Sequence, residues 1–133
     1  MATATPPFKR YCKALTLKND PKLMETYREI HRPENMWSEI TRGMREVGIL
    51  DMEIYQYGNV AVMIMDTVID FDHEAAMREL ATKPRQGEWE AYVSQFQETD
   101  RSSSAAGKWQ LLKRIYEMEQ QEEHLPAEGQ VKY

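Results

Sequence analysis

The sequence predicts one α+β domain with the element order β-α-β-β-α-β, and three observations carry that prediction. A Gly58-Asn59 pair separates two apolar-rich runs, Ile49 to Tyr57 and Val60 to Val68, as the two-residue turn of a hairpin does. Stretches of helical period lie on both sides of this hairpin, one interrupted by Pro33 and the other by Pro84. The chain has 133 residues, enough for one hydrophobic core and too few to divide between two.

Taken in order, residues 9 to 17 (KRYCKALTL) alternate in character with Leu15 and Leu17 in one phase, and read as the first strand. Asp20-Pro21 then marks a helix start, because the Asp side chain accepts free backbone N–H groups and proline lacks one. That helix presents Leu23, Tyr27, Ile30 and His31 along one side until Pro33 breaks it. Trp37, Ile40, Met44 and Val47 continue at spacings of three, four and three, and Gly48 closes the second helical run.

A two-residue turn with Gly first fixes the hairpin register: Tyr57 opposite Val60, Tyr55 opposite Val62, Glu53 opposite Ile64 and Asp51 opposite Asp66. One face then carries Leu50, Met52, Ile54, Met63 and Met65, wholly apolar and expected to lie under the helices. The other mixes Val62, Ile64 and two tyrosines with three carboxylates. It is too apolar for water and too charged for a core, so a partner subunit is expected to cover it. The carboxylates are expected to pair with Lys113 or Arg114 in preference to a cation.

Asp70-Phe71-Asp72 opens another helix, to about Ala81, with Phe71, Ala76, Met77 and Leu80 inward. A further run after Pro84 buries Trp89, Val93 and Phe96. Residues 100 to 107 (DRSSSAAG) read as a loop, and Trp109 to Met118 as the last strand, alternating Leu112, Arg114 and Tyr116. Residues 1–7 and 119–133 lack a periodic apolar face and are expected to be disordered tails around a folded unit spanning 8–118.

Composition excludes several classes of function. Acidic residues number 22 and basic ones 17, the net charge is −5, and the basic residues form no stripe, which argues against nucleic acid. The longest apolar run, Asn59 to Met65, stops at Asp66, and the first ten residues hold no apolar segment, so neither a membrane span nor a signal peptide is expected. The single Cys12 suits a reducing cytoplasm. No Gly-rich phosphate loop, Cys/His cluster at ligand spacing or G-x-S-x-G elbow occurs, which removes most nucleotide, zinc and α/β-hydrolase readings. His73 and His124 read as surface residues.

The remaining chemistry gathers around Pro33: Tyr27 and His31 four residues apart on one helical face, then Glu34, Trp37 and Glu39. Protic groups beside a large aromatic suit a sugar, whose hydroxyls take hydrogen bonds and whose C–H faces take a flat apolar wall. On spacing alone, however, His31 is a solvated or helix-capping residue, Tyr27 a tyrosine at the edge of the core, and Trp37 and Trp89 core residues.

The segment Tyr27 to Tyr55 (YREIHRPENMWSEITRGMREVGILDMEIY) resembles the L-rhamnose mutarotase family in its Tyr four residues before a His, its W-x-E-I, its helix ending in Gly and its strand ending in I-Y. The likeness extends over roughly residues 8 to 118. It implies a ferredoxin-like unit of the dimeric α/β-barrel type, a homodimer joined sheet to sheet, and a cofactor-free isomerase acting on a monosaccharide. It further implies that His31 is the proton donor, that Tyr27 contacts the substrate, and that a tryptophan pair on the later helix lines the pocket.

Three departures stand out. Five residues separate His31 from Trp37 where rhamnose mutarotases usually have three, Met52 replaces a substrate-contacting Tyr, and only Trp89 of the tryptophan pair is present, beside Glu88. The expected binding set is therefore Tyr27, Trp37, Met52, Glu88 and Trp89 around His31, with Glu34 or Glu88 as a second proton carrier. The sequence looks closer to the L-fucose-directed branch, and the expected reaction is exchange between the α and β anomers of a 6-deoxy-L-hexose. The alternatives are a cofactor-free or haem-linked monooxygenase of the same architecture, or a non-catalytic sugar-binding module.

Overall fold

A computed structural model describes residues 7–98 and 108–118 and the backbone of 124–126. Its central strand is β1 (Phe8–Thr16), whose alternate side chains Tyr11, Lys13 and Leu15 turn inward. The Asp20 carboxylate accepts from the N–H groups of Lys22 and Leu23 and starts α1 (Pro21–Ile30). After the Pro33 turn come α2 (Ser38–Glu46), β2 (Ile49–Tyr57) and β3 (Val60–Val68). The second half holds α3 (His73–Leu80), capped by Asp72, then α4 (Gln86–Ser94) and the two-residue β4 (Gln110–Leu111).

The sheet order is β2-β3-β1-β4 with antiparallel neighbours, the ferredoxin-like arrangement with each helix broken in two. Helical residues such as Tyr27, Ile40, Leu80, Trp89 and Val93 pack with Tyr11, Leu15, Met63 and Met65 of one sheet face into a single core. The opposite face, with Asp51, Glu53, Tyr55 and Tyr57 exposed, carries no helix among the described residues, and there Arg10 rather than Lys113 or Arg114 takes Asp66, at 2.8 Å. Arg114 pairs with Glu117 at 3.0 Å.

The hairpin register is the expected one from Asp51 to Tyr57, and Gly58 has φ +56° while Asn59 stays out of the positive region, as a turn with Gly first requires. Leu50 departs from expectation. Pairing jumps from Ile49–Thr67 to Asp51–Asp66, so Leu50 is the extra residue of a bulge; it leaves the alternation and is 52% exposed. Gly48, at φ +103°, closes α2, and a Cβ there would lie 3.0 Å from Val68 Cγ2. His73 is half-buried against the Tyr11 ring, 5.0 Å between centroids, and is not the surface residue expected.

The last strand is shorter than expected. Antiparallel pairing of Ala14 with Gln110 and Lys13 with Leu111, followed by the Leu112 N–H on the Cys12 carbonyl at 2.8 Å, would next run along residues 8–10. That stretch of the edge is already taken by β5 (His124–Pro126), parallel to Phe8–Arg10. Residues 112–118 therefore leave the sheet. The same strand shows that the segment expected to be a tail is not wholly one, while the expectations for residues 1–6, 100–107 and the His124 side chain lie outside the described residues.

Candidate active site

Between the sheet and the helices lies a cavity of about 370 Å³, and its walls differ in chemistry. Methionines 36, 44, 52, 63, 65 and 77 form an apolar side. The face of α4 supplies Gln86, Trp89, Glu90 and Val93, spaced three, one and three apart so that all project the same way, and Gln97 follows just beyond the helix. His31 and Tyr27 enter from α1, and Lys13 from β1.

His31 is the C-cap residue of α1, and its Nδ1 lies 2.6 Å from the Tyr27 carbonyl oxygen. A carbonyl can only accept, so Nδ1 carries the hydrogen and Nε2 keeps a lone pair that has no partner among the described residues. The capping role and a place in the cavity thus belong to one side chain. Its imidazole sits between the Tyr27 ring at 4.4 Å and Trp89 at 5.4 Å. Burial lowers its pKa from the ordinary 6.5, opposed by the Tyr27 carbonyl, and so favours the neutral imidazole, a base where the family resemblance implies a proton donor.

Tyr27 is buried, and desolvation pushes its pKa up to about 12. It stays a phenol. Gln97 Nε2 donates to the Tyr27 oxygen at 3.3 Å, which leaves the phenolic hydrogen free for another acceptor. Glu90 accepts from Gln86 Nε2 at 2.7 Å and pairs with the fully buried Lys108 ammonium at 3.0 Å. The side-chain amide oxygens of Gln86 and Gln97 are buried with no hydrogen-bond partner among the described residues, and both residues line the cavity. Buried acceptors of this kind are costly unless a ligand or water supplies donors.

Of the expected site residues, the structure brings together His31, Tyr27, Met52 and Trp89, and places Trp37 and Glu88 outside the cavity. The turn after His31, closed by the Met36 N–H on the Arg32 carbonyl at 3.0 Å, puts Met36 in the cavity wall and leaves Trp37 at the N-cap of α2. Trp37 there stacks on Tyr92 at 5.8 Å, meets the outer edge of Trp89 at 5.2 Å and carries the Arg85 guanidinium 4.0 Å above its ring. Glu88 is about 100° around the helix from Trp89 and reaches Arg85 at 3.5 Å. Glu34 is exposed, and Glu39 lies 3.7 Å from Arg85.

Sequence reasoning missed Lys13, Gln86, Glu90 and Gln97. A signal existed for three of them: Gln86 and Glu90 fall on the same helical side as Trp89 and Val93, and Lys13 shares the inward phase of Leu15.

Comparison with known proteins identifies the family. The sequence pattern of L-rhamnose mutarotase matches residues 10–118. An L-fucose mutarotase of Xanthomonas campestris pv. campestris is 34% identical over 107 residues, 80% of this chain and 86% of that protein. The UPF0734 protein of Dictyostelium discoideum is 30% identical over 105 residues, 77% of this chain and 82% of the other. The crystal structure of an L-rhamnose mutarotase from Formosa agariphila superposes with a TM-score of 0.62 at 17% identity, over 83% of this chain and 98% of that one, and supports the fold. With its family pattern matched over residues 10–118, the chain belongs to the L-rhamnose mutarotase family, whose members are carbohydrate isomerases acting on sugar anomers.

Proposed function

We propose that this protein interconverts the α and β anomers of a 6-deoxy-L-hexose, with L-fucose preferred to L-rhamnose and His31 as the residue that moves the anomeric proton. The observation that carries this reading is the held tautomer of His31: Nδ1–H on a backbone carbonyl, and Nε2 without a partner among the described residues in a cavity whose buried Gln86 and Gln97 amide oxygens likewise have none there. Nε2 takes the proton of the anomeric hydroxyl, the C1–O5 bond breaks as C1=O1 forms, and O5 receives a proton. Rotation about C1–C2 presents the other carbonyl face. Closure reverses both transfers.

The walls suit a deoxy sugar. Gln86 and Gln97 accept hydroxyl protons on one side, and the methionine side takes the C6 methyl without stranding a polar group. Met52 lies in that wall where the rhamnose-directed relatives are expected to carry a tyrosine hydroxyl, and a relative named as an L-fucose mutarotase is 34% identical. One buried polar group shifts selectivity by about 1–3 kcal/mol.

The same reading includes a homodimer joined through the sheet face that bears Asp51, Glu53, Tyr55, Val62 and Ile64. It places the protein in the cytoplasm, which suits a chain with one cysteine, Cys12. Among the described residues no helix is long and apolar enough to cross a membrane.

Saturation-transfer NMR of L-fucose and L-rhamnose tests the function. We expect faster exchange with fucose, a loss of about two to four orders of magnitude in His31→Ala, and a smaller loss in Tyr27→Phe. Near-normal exchange in His31→Ala would show that the imidazole is structural.

A further inference from the structure

We propose that Lys13 is the second proton carrier of the reaction, its ammonium group protonating the ring oxygen while His31 Nε2 takes the anomeric proton. This rests on the mutarotase reading above and supplies the acid that His31, a neutral base, cannot be at the same moment.

Lys13 sits in the middle of β1 at an inward position flanked by Tyr11 and Leu15, where the core would ordinarily take an apolar side chain. It is 3% exposed and lines the same cavity as His31 and Tyr27. Among the described residues no carbonyl or carboxylate accepts a hydrogen bond from its Nζ. A buried charge without a partner is costly, and a protein with no use for one would place Leu or Met there.

The charged and titratable groups sharing the cavity do not neutralise Lys13. Glu90 of α4 is held by Lys108 at 3.0 Å and by Gln86 at 2.7 Å. Arg45 of α2 and Asp51 of β2 are exposed, and Tyr27 of α1 is a phenol. From the adjoining strands, Met63 of β3 and Leu111 of β4 pair beside it and carry no charge.

Burial brings the Lys13 pKa down to about 8, while that of His31 lies below 6.5. Between those limits the lysine is protonated and the histidine is not, which is the state that ring opening needs. The balance closes: the O1 proton goes to Nε2 of His31, a proton of Lys13 goes to O5, and the C1–O5 bonding pair goes to O5. Closure on the other face of the aldehyde returns the O5 proton to Lys13 and the Nε2 proton of His31 to O1. No oxidant, metal or further reactant enters.

The test begins with the unsubstituted protein. Catalysed exchange of L-fucose, corrected for the spontaneous rate, should give a bell-shaped pH profile of kcat/KM with its alkaline limb near 8. Lys13→Met should lower kcat by about two to four orders of magnitude, leave KM within about threefold and abolish that limb. Added ethylammonium should restore part of the rate in Lys13→Ala, which a merely structural lysine would not allow. Exchange in Lys13→Met within about threefold of normal would overturn the proposal. So would exchange in the unsubstituted protein that stays level from about pH 7 to 9.5, a result needing no folded variant. If the unsubstituted protein exchanges neither sugar, the mutarotase reading itself fails.

Discussion

His31 and Lys13 are both pushed toward neutrality by burial, and the sign of each shift sets a pH dependence of stability. The folded pKa of His31 lies below its unfolded value near 6.5. Stability is therefore complete above about pH 6.5 and is lost as pH falls through the folded pKa. Melting scans from neutral pH downward should show this decline, and His31→Gln should remove it. For Lys13 the full contribution is present only above 10.5 and is lost as pH falls through about 8, so at neutral pH the charge costs stability. Lys13→Met should then melt higher than the parent at pH 7 by the equivalent of about 1–3 kcal/mol, even as activity falls. That Tyr27 and His31 share a helical face was legible from their spacing of four, but a role for them came only from the family resemblance, since spacing alone reads them as a core-edge and a capping residue. Lys13 was harder to read, since a lone lysine in an alternating strand looks like its solvent phase until the neighbouring leucines fix which phase is inward.

At the scale of the element, α4 carries the polar wall and fastens the returning chain to it. Lys108 donates to both the carboxylate and the backbone carbonyl of Glu90, at 3.0 and 2.6 Å, with its own side chain fully buried. Glu90→Gln removes the counter-charge of that ammonium and leaves it only neutral acceptors, and urea denaturation should record a loss of about 3–5 kcal/mol. An unchanged midpoint would mean that the ammonium finds water instead. Gly48→Ala asks for a positive φ and for space that Val68 occupies, so a loss of about 1–3 kcal/mol is expected in the same assay. Helix starts at Asp20 and Asp72 were readable because a cap is a local hydrogen bond. The direction of Trp37 was not, because it depends on the length of the turn after His31 and on Arg85, whose backbone at φ 63° lies in the left-handed region at the start of α4.

In the whole molecule, the hairpin and the strand order followed from one turn and two alternating runs. The edge of β1 did not, since its occupancy by both β4 and β5 is settled by strands distant in sequence competing for the same backbone groups. Opposite the helices, Tyr57 is 89% exposed and Tyr55 55%, and the chain after β4 leaves Ile115 and Tyr116 in the open. The proposed homodimer would cover such a surface. Sedimentation at micromolar concentration should give twice the chain mass, and Val62→Lys with Ile64→Lys should give one chain mass while retaining exchange, because the cavity lies on the other side of the sheet. A single-chain mass for the unsubstituted protein would end that proposal. The group that orients His31 is a main-chain carbonyl one helical turn back, so no side-chain replacement can delete it. Any sequence able to wind α1 supplies it again. The imidazole's tautomer is therefore inherited with the helix itself, and drift in this chain can remodel the surrounding walls, and with them the choice of sugar, without first dismantling the proton-handling nitrogen.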